Sequence, residues 1–84
     1  MDEQLLKLVA IRSGDEITYR GEDGKHRTST CTGWRSTMRE GKWCKQLMLA
    51  NGAYVLLAHV VSRERRAGSC GSGVIVFEEQ RMNT

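Results

Sequence analysis

The sequence predicts a mostly β fold: a small bent meander of about five strands with a short helix at its N-terminus. Three observations carry this. Glycine-based turn signals recur through the middle of the chain, as GEDGK at 21–25, REGK at 39–42 and NG at 51–52. Asp-Gly and Asn-Gly suit tight hairpins because they tolerate positive φ. The segments between them are rich in Thr, Val, Tyr and Trp, which favour a pleated, half-buried surface. The chain of 84 residues fits a single domain, 1–84. A domain of that size buries only about 60–65% of its unfolded surface, so its core is thin.

The elements follow in order. Leu5, Leu6, Leu8 and Val9 partly match helical spacing, which places a short helix over 2–10, with a short strand as the alternative. Strands are expected near 16–20, 26–37, 43–50, 53–61 and 74–79. Between the last two lies the Gly-rich stretch 66–73, RAGSCGSG, expected to be a flexible loop because glycine is entropically loose. No internal repeat or low-complexity tract is present.

Two-residue turns at Asp23-Gly24, Glu40-Gly41 and Asn51-Gly52 fix a register. They pair Tyr19 with Thr28 and Ile17 with Thr30, Met38 with Trp43 and Trp34 with Leu47, and Leu49 with Tyr54. Opposed residues share a face, and faces alternate along a strand. One face then collects Ile17, Tyr19, Thr28, Thr30, Thr32, Trp34, Met38, Trp43, Leu47, Leu49, Tyr54 and Leu56 as the core side. The other collects Thr18, Arg20, Arg27, Ser29, Cys31, Arg35, Thr37, Cys44 and Gln46. A slip of one residue at any turn would mix the two. The first strand, the long central hairpin and the run YVLLAHVVS leading into a short turn resemble the strand layout of an SH3-like barrel. An OB-like barrel and an open sheet with one helix are the alternatives.

Charge is unevenly distributed. Six of the ten acids lie in the first 23 residues. From Lys25 to Arg66 there are nine basic residues and two acids, Glu40 and Glu64. Such a segment favours nucleic acid or an acidic protein partner. No apolar run approaches the ~20 residues that span a membrane. The opening MDEQ is acidic and Lys7 interrupts the apolar stretch, which makes a poor signal peptide, so a cytoplasmic protein is expected.

Several chemistries lack their signatures. Cys31, Cys44 and Cys70 are an odd number with no C-x-x-C pair, arguing for reduced thiols rather than a disulfide framework or a zinc site. In the predicted register Cys31 faces Ala50 and Cys44 faces Thr37, far apart along the hairpin. Cys70 and His59 form the one Cys–His combination worth weighing for catalysis, and Cys70 reads as incidental in a loose connection. Glu78 and Glu79 would point to opposite faces of a strand, wrong for a carboxylate pair. AGSCGSGVIVF lacks the Lys-Ser/Thr ending of a P-loop, and G-x-G-x-x-G does not occur. The sequence thus implies no enzyme, metal or cofactor.

What remains is binding. Arg20, Arg27 and Arg35 fall on the predicted outer face, Arg39 and Lys42 flank the central turn, and SRERR adds Arg63, Arg65 and Arg66. Cations along a ribbon can meet successive phosphates of DNA or RNA, so these eight are the expected nucleic-acid contacts. With both Trp and both Tyr on the core face, the exposed aromatics of single-strand binders are not expected. Small size without a catalytic motif suits an accessory or regulatory role, as in a mobile element. The alternative is a protein–protein module: an adaptor or inhibitor on an acidic partner, or a homo-oligomer joined through the Val74–Phe77 edge.

Overall fold

The structure, a computed structural model, describes residues 3–66, 68 and 70–77. Helix α1 (Glu3–Ala10) precedes strands β1 (Glu16–Arg20), β2 (His26–Arg39), β3 (Lys42–Leu49), β4 (Tyr54–Leu56), β5 (Val60–Arg65) and β6 (Gly73–Val76), with a 3-10 turn at Leu57–His59. The six strands form one antiparallel sheet in the order β4-β3-β2-β1-β5-β6. The mostly β character and the short N-terminal helix are as expected, and the described residues form an open sheet of six strands rather than about five. The expected strand 53–61 is divided by the 3-10 turn, and its second half joins the far side of β1. The expected positions of residue 2 and of 78–79 lie outside the described residues, as do 67 and 69 of the Gly-rich stretch.

Only the central hairpin has the predicted register. Arg39 pairs with Lys42 across a two-residue turn, Glu40-Gly41, in which both residues have positive φ (51° and 76°). That is the geometry whose twist matches paired strands. The other two hairpins are each shifted by one residue, and for the same reason. Ile17 pairs with Ser29 and Tyr19 with Arg27; Leu47 pairs with Val55 and Met48 with Tyr54. Both are closed by three-residue loops, Glu22-Asp23-Gly24 and Ala50-Asn51-Gly52. In each, the glycine takes positive φ (80° and 86°). Its N–H donates to the carbonyl three residues back, Gly24 to Gly21 and Gly52 to Leu49. The Asx side chain accepts the N–H two residues on, Lys25 to Asp23 Oδ1 and Ala53 to Asn51 Oδ1. Asp-Gly and Asn-Gly were right as turn signals and wrong as turn lengths.

The first shift is cancelled inside β2. Cys31 faces Leu49, but Gly33 faces Met48, so Thr32 is an extra residue in the ladder. A bulge of this kind bends the strand and moves the following side chains to the opposite face. Ile17, Tyr19, Leu47 and Leu49 therefore still meet in the core, with Trp34 packed against it. The corrections fall between the two slips and beyond them. Cys31, expected outside, is buried; Thr28, Thr30 and Thr32, expected inside, are exposed. Val55 replaces Tyr54 and Leu56 in the core, which is completed by Ile11, Val60 and Phe77.

Helix α1 turns a cation inward. Lys7 is buried, donates to the Leu57 carbonyl (2.8 Å) and lies over the Phe77 ring (5.6 Å). Leu5, Leu6 and Val9 face solvent instead.

Candidate nucleic-acid interface

Arg20 ends β1, Arg27 lies one residue into β2 and Arg39 ends β2. All three line one open cleft of about 950 Å³, walled by the β1–β2 loop, by β4 and by His59. Arg27 and Arg39 would stand about 40 Å apart on a straight strand. Both nevertheless line the same cleft, and β2 carries a bulge at Thr32, a feature that bends a strand. Tyr54 forms part of the wall and is half exposed. The Arg35 guanidinium lies over its ring, 3.7 Å from the centroid, and Arg35 Nε donates to Gln46 Oε1 (2.8 Å). This cation–π stack and hydrogen bond fix Arg35 beside the cleft.

The cleft is not uniformly basic. Glu22 and Asp23 share it, and Arg27 Nη2 donates to Asp23 Oδ2 at 2.9 Å. The Lys25 backbone N–H, with the Arg27 charge beside it, holds the Asp23 carboxyl below its usual value. The pair is solvent-exposed, so a competing phosphate faces little penalty in displacing it. The register also moves Arg27 to the Tyr19 side of the sheet, where it sits at the rim; Arg20 and Arg35 keep the outer side.

Beyond Gln46 the central hairpin becomes a two-stranded ribbon. Strand β4 ends opposite Gln46, and β1 begins opposite Thr30. No residue from 35 to 45 is buried. One face of the ribbon carries Arg35, Arg39 and Lys42. The other carries Ser36, Met38, Trp43 and Lys45, with Lys45 Nζ donating to Ser36 Oγ (2.9 Å). Trp43 and Met38, expected on the core side, are exposed, at 72% and 54%. They lie on the expected face, but no strand or helix among the described residues covers that face so far along the hairpin.

The three arginines of SRERR separate. Arg63, expected at the surface, is 4% exposed; its Nη1 donates to the Gly73 carbonyl, and its Nε has no partner among the described residues. Arg65 is half-buried in a bidentate pair with Asp15, both contacts at 2.8 Å. It also donates to the carbonyls of Ala10 and Cys70, joining the end of α1, the start of β1 and the connection after β5. Burial raises the Asp15 pKa, but hydrogen bonds from Arg65 and the Arg12 N–H, with the charges of Arg65 and Arg63, outweigh it and leave the pKa lowered. Gly71 approaches Arg65 so closely that a Cβ would lie 2.7 Å from Nη1. Only Arg66 of the three is exposed. Sequence reasoning missed Asp15; its signal was an acid standing directly before the first strand.

All three cysteines are free thiols: Cys31 buried, Cys44 half-buried and Cys70 exposed. Burial pushes the Cys31 thiol pKa up, which disfavours the reactive thiolate. Cys70 stands beside Arg65 and His59 in the cleft wall, so the two belong to different parts of the surface. No group of three or more His, Cys, Asp or Glu among the described residues is arranged to hold a metal ion. No helix among them is long and apolar enough to cross a membrane. No family model matches the chain, and no curated protein or solved structure matches it.

Proposed function

We propose that this is a small non-enzymatic nucleic-acid-binding protein, acting in the cytoplasm in an accessory or regulatory role. The observation that supports it is the convergence of Arg20, Arg27 and Arg39 on one cleft, with Lys42 and the stacked Arg35 on the adjoining ribbon. These cations would meet the phosphate backbone, so the binding is expected to depend on salt more than on base sequence. Arg66 extends the same chemistry; Arg63 and Arg65 act through the fold. Fluorescence anisotropy with labelled DNA and RNA oligonucleotides tests the reading. Replacing Arg20, Arg39 and Lys42 with Gln should weaken binding and reduce the salt slope by roughly 0.7–0.9 per lost phosphate contact. The absence of binding to either polymer at low salt would overturn it.

A protein–protein module is the second reading, supported by the β6 edge. Strand β6 ends the sheet, and Val74 and Val76 on it are 59% and 71% exposed. Such an edge can accept a strand from a second copy. We also keep the SH3-like barrel as a proposal, supported by the bend of β2 and the 3-10 turn before β5.

A further inference from the structure

We infer that Trp43 is a stacking platform for an unpaired base, so that the favoured ligand is a single strand rather than a duplex. The inference rests on the reading above and adds the class of nucleic acid. Trp43 stands beside the tip of the β2–β3 ribbon, 72% exposed, with Met38 directly opposite as its neighbour. A large aromatic held this far outside a small core gains little for folding. Around it, residues 35–45 carry four basic side chains and one acid, Glu40. Lys45 shares the face of Trp43, while Arg39 and Lys42 stand on the reverse. A base on the indole would therefore have cations on both sides of the ribbon to receive its flanking phosphates.

The size of the exposed apolar patch argues against a protein as occupant. The exposed apolar surface here is two side chains, far short of the roughly 800 Å² that each partner contributes to a standard protein interface. A duplex is disfavoured for a different reason. Inserting an indole requires unstacking a base step, which is repaid when the bent duplex wraps more protein. The adjoining cleft gathers three arginines, one of them paired with Asp23, which is little to repay that cost. A single strand presents unpaired bases whose faces are reached without opening a duplex.

The test uses the full chain with fluorescein-labelled oligothymidylate and, separately, a labelled mixed-sequence duplex. The wild type should prefer the single strand. Trp43→Ala should weaken single-strand binding by about 5- to 150-fold, the range that base–aromatic stacking spans, while Trp43→Phe keeps most of it. In a Trp34→Phe background, the fluorescence of Trp43 should be quenched on binding. Unchanged thermal melting of Trp43→Ala separates loss of stacking from loss of fold. Tight binding with no effect of Trp43→Ala, or a preference for the duplex, overturns this inference and leaves the broader reading standing. No binding of either probe at low salt overturns both.

Discussion

Arg65 and Arg39 each end a β-strand, and their surroundings differ in almost every respect. Arg65 holds Asp15 through two hydrogen bonds and donates to two carbonyls from separate parts of the chain. Arg39 is exposed beside an open cleft, at the end of a ribbon that no other strand among the described residues covers. Lys7 and Arg63, both buried, resemble the half-buried Arg65 in bonding to carbonyls of other segments; Lys42 and Arg66 resemble Arg39 in being exposed. The basic composition thus divides into cations that hold elements together and cations that face solvent. Net charge alone says nothing about which is which, because burial and a partner decide it.

The largest expected effect lies at the buried end. Asp15→Ala removes a carboxylate that is 2% exposed and leaves the cations around it unpaired, at a cost on the order of 3 kcal/mol by urea denaturation. If that variant melts like the wild type, the clamp is not structural. Acid should act on the same group. The folded pKa of Asp15 is depressed, so its contribution is fully present above the ordinary value of 3.8 and is lost as pH falls through that value toward the folded one. Melting temperature against pH should show this loss, and Asp15→Asn should flatten the corresponding part of the curve.

Smaller effects are expected at the ribbon. Glu40 is the one non-glycine residue with positive φ among the described residues. Glu40→Asn should stabilise by roughly 0.5–1 kcal/mol, because Asn adopts this conformation more readily. Arg39→Gln and Lys42→Gln should change stability by less than about 0.5 kcal/mol, since both side chains are exposed. A large destabilisation there would erase the contrast between the two ends.

These contrasts were partly legible in the sequence. The Glu40-Gly41 turn and the pairing of Met38 with Trp43 were read correctly. Asp23-Gly24 and Asn51-Gly52 were not, because the same dipeptide closes two-residue and three-residue loops and the difference lies in one loop residue. The bulge at Thr32 had no clear signal beyond the neighbouring Gly33. Since it reversed the first slip, Ile17, Tyr19, Trp34, Leu47 and Leu49 were still placed on one side. Trp43 and Tyr54 show a second limit. Periodicity assigns a side chain to a face; whether another element reaches that face depends on strand lengths across the sheet. Arg63 and Arg65 show a third, since SRERR reads as a surface run until Asp15 and the Gly73 carbonyl come beside it.

The division between the two sets of cations is tested most directly by the salt dependence of oligonucleotide binding, measured for the wild type and for the Arg39→Gln/Lys42→Gln protein. Log Kobs should fall linearly with log salt for the wild type, and the variant's line should be shallower while its melting curve stays the same. A variant with the wild-type slope, or a wild type that binds nothing at low salt, would contradict it.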